Sequence, residues 1–316
     1  AQAEGGLSCF LMPRFRPDGQ VNGLRFQRLK DKLGNRSNAS SEVEFHDAYA
    51  LPVGEEGKGV RTIIQMVQLT RQDCAIASAG LMRSGLAHAL NHARHRSVFQ
   101  RHLADQPLMQ SVLADMALNV EATTALTMRL CRAFDRMAGD AGEAAYMRLL
   151  TPVVKYWICK SAPGFLYEAM ECLGGNGYVE EGILARHYRE APVNAIWEGS
   201  GNVMCLDVLR ALAREGEAAM AVLKGLASET RGLSGAAEAA AFIGAEFRAP
   251  DSERAARLAV ETLALLAAAA ALNAVHPAHA ALFARTRLAE RHAGFFGAAH
   301  LAAGEARALL ERALPA

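Results

Sequence analysis

Cysteine is sparse in this sequence. The six residues, Cys9, Cys74, Cys131, Cys159, Cys172 and Cys205, lie far apart with no Cys-x-x-Cys among them. That pattern argues against a disulfide frame or a zinc site and suits reduced, buried thiols in a cytoplasmic protein. Neither sign of charge prevails: 34 Lys+Arg stand against 33 Asp+Glu. A strongly basic nucleic-acid binder is therefore not what the total suggests. The first residues, Ala1 to Gly6, show no basic stretch leading into an apolar one, so no secretory signal is visible there. No apolar run reaches the ~18–20 residues of a bilayer span, and the alanine-rich run near residue 270 reads as short and weakly apolar.

What is present is apolar material in quantity. Hydrophobic residues make up 51% of 316, enough for a sizeable core and two domains, with a third allowed by length. Residues 1–55 have β character. Leu7–Pro13 is a short apolar run, Leu24–Leu29 and Ser41–Phe45 alternate apolar with polar, and Pro17-Asp18-Gly19-Gln20 is turn chemistry. Pro52-Val53-Gly54 and Gly57-Lys58-Gly59 then break the pattern. From Val60 the period is helical, with Ile63, Ile64, Val67, Ala75, Ile76, Ala79 and Leu86 on one broad face. Two more long helices are predicted over Leu108–Phe134 and Glu143–Leu173, and a shorter one over Ser200–Arg214, with residues 178–199 irregular between them. The Ala-rich residues 216–316 read as four or five short helices, broken at Gly232–Gly235, Ala249–Ser252 and Pro277. The fold class expected is mostly α with a small β part.

Two segments carry chemistry. In the first, Leu173-Gly174-Gly175-Asn176-Gly177 ends a helix. It reads either as a plain C-cap or as backbone N–H groups open to a phosphate. Further on, Glu198 sits between Trp197 and Gly199-Ser200-Gly201. It is either a proton acceptor beside an apolar wall or an acid answering a helix dipole. The second segment, Arg94 to His102, holds three Arg and two His within nine residues. It reads as a phosphate site or as a solvated basic helix end. His88, His92 and His95 have helical spacing, but no carboxylate or cysteine completes a metal ligand set, so no metal is expected. Ser200 lacks the His and Asp of a hydrolase triad.

At these residues the sequence resembles the acyl-CoA dehydrogenase family, over roughly residues 1–214. Leu29 to Ser37 with Val43-Glu44-Phe45 is similar to the second half of that family's middle β-domain. Arg96-x-x-Phe99, Leu173 to Tyr178, and Tyr188-Arg189-Glu190 leading to Glu198-Gly199-Ser200 are similar to its C-terminal helical domain. The resemblance implies FAD, and α,β-dehydrogenation of an acyl-CoA thioester with Glu198 as the base that takes the α-proton. Some members place the base on the long helix that begins near Gly59. Here that position is Thr70, which carries no carboxylate. The resemblance also implies that Arg96 and Phe99 meet the FAD of a neighbouring subunit, that Ser200 and Asn202 touch it near the base, and that Gly174 and Gly175 let its adenine side approach. Three departures stand out. Gln100 replaces a glycine. A glutamine position falls on Pro107, with Gln106 and Gln110 nearby. Glu171 replaces a second glutamine. Gln110 and Glu171 are the candidates for those two FAD contacts.

After Glu198, 118 residues follow, longer than the family's usual tail. With Pro192-Val193-Asn194 and Trp197 to Asn202, this resembles the AidB-like branch, which is associated with the response to alkylating agents and carries an added helical C-terminal domain. The implied division is 1–57, a partial β-domain; 58–214, a helical bundle with the FAD and substrate site; and 215–316, an extra helical domain. The implied partners are an acyl-CoA, an electron-transfer flavoprotein and further copies of the chain in a homotetramer. The alternative is a flavoprotein that binds DNA with weak or no dehydrogenase activity. Residues 205–316 are neutral overall, with 12 Lys+Arg and 12 Asp+Glu. DNA would therefore need a clustered face such as Arg285, Arg287 and Arg291. A strand that starts at Leu7 with almost nothing before it is expected to be an N-terminal truncation.

Overall fold

The computed structural model describes residues 2–3, 5–290 and 301–313. Contacts divide the chain into two units, Ala1–Thr70 and Arg71–Ala316.

The first unit is built from short antiparallel pairs. Strand β1 (Gln2–Ala3) pairs with β2 (Gly6–Leu7), and β3 (Cys9–Leu11) pairs with a later strand, β6. β4 (Leu24–Leu29) and β5 (Ser41–Phe45) form a longer ladder, with Phe26 opposite Val43 and a register shift between Phe26 and Arg28. The alternation read from the sequence matches both of these strands. β6 (Leu51–Val53) does not follow the expectation, because Pro52 pairs with Phe10 inside it. Proline lacks an N–H, and it is tolerated here because the two-stranded pair leaves an open edge. Asn22 pins the unit. Its buried amide donates to the Pro13 and Tyr49 carbonyls at 2.8 Å each, and its Oδ1 accepts from the Gly23 and Tyr49 N–H groups.

The second unit is helical. Helix α1 (Gly59–His95) runs into it and ends with His92, Arg94 and His95 in its last turn, where the Arg94 cation suits the negative end of the helix dipole. A small hairpin follows, β7 (Ser97–Val98) and β8 (Arg101–His102). Helix α2 (Pro107–Arg136) starts on proline at its first position. Helix α3 (Ala141–Cys172) is capped by Asp140, whose Oδ1 accepts from the Gly142 and Glu143 N–H groups. The short α4 (Gly175–Tyr178) leads to α5 (Ile183–Asn194) and α6 (Gly201–Arg214). Then come α7 (Gly216–Glu229), α8 (Ala236–Glu246), α9 (Ser252–Val275), α10 (Pro277–Ala284) and α11 (Ala303–Ala313). A π-helical turn over Arg285–Ala289 follows α10.

Two expectations are corrected. Residues 178–199 are not irregular, since α5 occupies 183–194. Its polar, charge-rich sequence hid a narrow apolar stripe, Leu184, Ala185 and Ala191, which it buries in packing on α3. The alanine-rich run near residue 270 is neither short nor weakly apolar. α9 has 24 residues and a window of mean hydropathy 1.9, long and apolar enough by composition to cross a membrane. In this fold it is a core helix. Ala264 and Ala267 to Ala271 are buried, with α9 packed on α2, α3, α6, α8 and α10. Alanine on that face lets neighbouring backbones approach closely. One apolar cluster runs from Ala75 to Ala313, so the described residues of 215–290 and 301–313 share a core with the bundle. All six cysteines are unpaired, and four of them are buried.

Candidate functional site

The chain between α5 and α6 makes a tight turn that carries Glu198. The Ile196 and Trp197 N–H groups close onto the Val193 carbonyl at 2.9 and 3.0 Å. Glu198 then takes φ +59° and Gly199 φ +106°, so two successive residues lie in the left-handed region. For Glu198 this costs on the order of 1–2 kcal/mol, because its Cβ crowds the following carbonyl. Glycine suits that φ, and a side chain at Gly199 would also have to displace the Met204 Cε, 2.7 Å from its Cβ.

Buried cations hold this turn from behind. Arg71, on α1, donates from Nε to the Glu198 carbonyl at 3.1 Å and from Nη1 to Asp207 Oδ2 at 2.7 Å. Asp207, on α6, also accepts from Arg148 and Arg210, so one buried carboxylate gathers three guanidinium groups. Lys155, on α3, donates from Nζ to the Gly199 carbonyl at 2.8 Å and is only 1% exposed. Burial pushes the Lys155 ammonium below the usual lysine range, although the neighbouring thiols and Glu198 act the other way. Burial also raises the Cys74 thiol, which lies against the Trp197 side chain. The expected apolar wall is partial: Ile196 and Trp197 are exposed, and Glu198 is half-buried.

Ser200 is the N-cap of α6, but its side chain makes no capping bond. Asn202 Oδ1 accepts from Arg257 Nε at 2.8 Å, which ties α6 to α9. Thr70 Oγ1 donates to the Val67 carbonyl within its own helix at 3.1 Å.

The basic end of α1 and Leu173, the residue before the glycine cluster, line one cavity. An open cavity of about 310 Å³ is lined by His88, Asn91, His92, His95, Arg96 and Leu173. Burial and the Arg96 charge push His92 down, which favours its neutral ring. Arg96 opens the β7–β8 hairpin, whose tip residues Phe99 and Gln100 have φ +49° and +63°. That is the two-residue turn that favours glycine, and Gln100 departs from it. Phe99 is 93% exposed at the tip. Gly174 follows the C-cap of α3 with φ +57°, so the bland cap reading holds for it. A Cβ at Gly174 or Gly175 would nevertheless meet nothing within 4 Å. The space over these two glycines is open, as close backbone approach by a dinucleotide needs. Glu171 is exposed on the last turn of α3, and Gln110 is half-buried on the first turn of α2. Among the described residues no group of His, Cys, Asp or Glu is arranged to hold a metal.

Sequence reasoning did not single out Arg71, Lys155 or Asp207. The signal at Lys155 was a lone charge inside Val153-Val154-Lys155-Tyr156-Trp157, a stretch buried all round. The basic face suggested for DNA is not free. Arg285 pairs with Glu305 at 2.7 Å, Arg287 pairs with the buried Asp115, and Arg291 lies outside the described residues.

Comparison with known proteins fits this geometry. Residues 57–213 match the model of the acyl-CoA dehydrogenase C-terminal domain. The chain is 58% identical over 215 residues to the AidB protein of Escherichia coli K12, covering 68% of this chain and 40% of that one. It is 37% identical over 208 residues to acyl-CoA dehydrogenase family member 11 of Caenorhabditis elegans, covering 65% and 34%. The crystal structure of C. elegans ACDH-11 in complex with C11-CoA superposes with a TM-score of 0.82 at 27% identity, covering 92% of this chain and 55% of that one. The chain thus spans less than half the length of these two curated relatives. The matched motifs, the bundle that presents them and these similarities make the chain a member of the acyl-CoA dehydrogenase family, in its AidB-like branch.

Proposed function

We propose that this chain is the base-bearing part of an FAD-dependent acyl-CoA dehydrogenase. The observation that carries the proposal is the Glu198 carboxylate, held on a strained turn whose backbone is fixed by Arg71 and Lys155. A base fixed in this way suits abstraction of the α-proton from an acyl thioester, where geometry decides the rate. When bound, FAD supplies the acceptor for the β-hydrogen as hydride. Arg96, Phe99, Gln110, Gly174, Gly175, Ser200 and Asn202 are the residues that would hold it. Glu171, an exposed anion, would need a cation partner to sit near a pyrophosphate. An acyl-CoA is the substrate class, in line with the C11-CoA bound by the C. elegans protein. Electron-transfer flavoprotein is the acceptor, the assembly is a homotetramer that shares FAD sites between subunits, and the location is the cytoplasm. The division into 1–57, 58–214 and 215–316 is proposed as the functional layout.

The test uses the full-length protein. Its visible spectrum is expected to show oxidised flavin, bleached by one or more acyl-CoA thioesters of a chain-length series. Glu198→Gln keeps the shape and removes the base, so it is expected to retain flavin and lose about 10²–10⁴-fold in bleaching rate. A variant that bleaches at the wild-type rate would remove Glu198 from this role. DNA retention that falls steeply with salt would revive the alternative reading.

A further inference from the structure

Arg71 and Lys155 both hold the Glu198 turn, and of the two Lys155 is the unexpected one. Among the described residues Lys155 is one of the largest fully buried side chains, in company that is otherwise apolar. It lies on α3, 43 positions before Glu198. A methionine would fill the same volume without a charge to desolvate, so packing alone does not explain an ammonium here. Its Nζ is spent on one acceptor, the Gly199 carbonyl at 2.8 Å. The preceding carbonyl, that of Glu198, is taken by Arg71 at 3.1 Å. Arg71 is fixed in turn by Asp207. These carbonyls belong to the Glu198–Gly199 and Gly199–Ser200 peptides, the two that follow Glu198, and Glu198 and Gly199 have φ +59° and +106°. Charge-assisted donors on these successive carbonyls fix the planes of both peptides, which restrains the backbone that carries the Glu198 side chain.

We propose that Lys155 is a positioning residue for the base. By holding the Gly199 carbonyl it keeps Glu198 in the left-handed conformation and aims the carboxylate at the α-carbon of the acyl thioester. The second half of the statement rests on the dehydrogenase reading. The first half, the hold on the turn, does not. The same geometry gives Arg71 the companion role at the Glu198 carbonyl.

The experiment compares full-length wild type, Lys155→Met and Lys155→Arg with an acyl-CoA that the wild type oxidises. In K155M, kcat is expected to fall about 100-fold, the cost of a misplaced reacting group, with KM within threefold. The α-deuterium isotope effect is expected to rise while the β-deuterium effect does not. K155R keeps the cation and should recover at least a tenth of the wild-type kcat. A kcat within twofold of wild type, or a loss with an unchanged α-deuterium effect, overturns the proposal. If K155M does not fold, Arg71→Lys, which shortens the hold on the neighbouring carbonyl, is expected to show the same split, and an unchanged isotope effect there is equally fatal. The crystal structure of the folded variant needs no turnover. Glu198 is expected to leave positive φ, and an unmoved turn overturns the hold. A wild type that oxidises no acyl-CoA would sink the dehydrogenase reading, and the crystallographic arm would still decide the hold on the turn.

Discussion

Gly175 and Gly177 are two residues apart and do different work. A Cβ at Gly177 would stand 2.2 Å from the Met170 carbonyl oxygen and 2.7 Å from its Cα. Gly177→Ala must push α4 off α3, and it is expected to cost about 2 kcal/mol or more in urea unfolding. A Cβ at Gly175 meets nothing within 4 Å, and its backbone is helical. Gly175→Ala should therefore leave stability within about 0.5 kcal/mol while lowering the flavin content of the full-length protein. Flavin content equal to wild type would remove Gly175 from the cofactor site. The sequence showed a glycine cluster but not this contrast, because the discriminating atoms belong to α3. The same limit hid Lys155 and Arg71, whose meaning depends on a turn that lies 43 and 127 positions further along the chain.

At the scale of elements, α6 is tied to α1 and α3 through Asp207, which is buried and bonded to Arg71 and Arg148. Asp207→Asn keeps the volume but leaves those arginines without their counter-charge. Removing one partner of a buried pair costs about 3–5 kcal/mol, and a shift of that order in the denaturant midpoint is expected. A shift under about 1 kcal/mol would show that solvent reaches the arginines. The glycine end of α3 and the break at Pro277 were legible, because their causes are local, whereas Pro107 opening α2 and Asp140 capping α3 were not read as helix starts. α5 was not legible because its apolar stripe is short and its charges dominate any window. α9 was misjudged because alanine alone says little about length. Its neighbours, not its own hydropathy, make it a core helix.

For the whole molecule, pH is the most direct probe. His187 and His279 are both pushed down by burial, with a nearby histidine acting in the same sense. His187 bonds Ser84 at 3.0 Å, and His279 stacks on His276 at 3.6 Å. Their folded pKa values lie below the unfolded value of about 6.5, so below that pH the unfolded chain binds more protons. The contribution of these two histidines is expected to be flat above neutrality and to fall as pH drops from about 6.5 toward the folded values. His187→Gln should flatten part of that slope in urea unfolding measured from pH 5 to 7.5. An unchanged slope would show that the ring titrates equally in both states. Net charge said little at this scale: a near-zero total hid arginines already committed to Glu305 and Asp115.

The hairpin after α1 carries a consequence for association. Two side-chain-bearing residues in the left-handed region form a turn with few alternatives, and the Phe99 ring stands on it almost fully in water. The backbone beneath the ring is tied by the pairing of Ser97 with His102 and Val98 with Arg101, so it is ordered before any encounter. Whatever surface receives Phe99 therefore has little chain to order, and more of the contact remains as affinity. In this hairpin local strain serves as preorganisation.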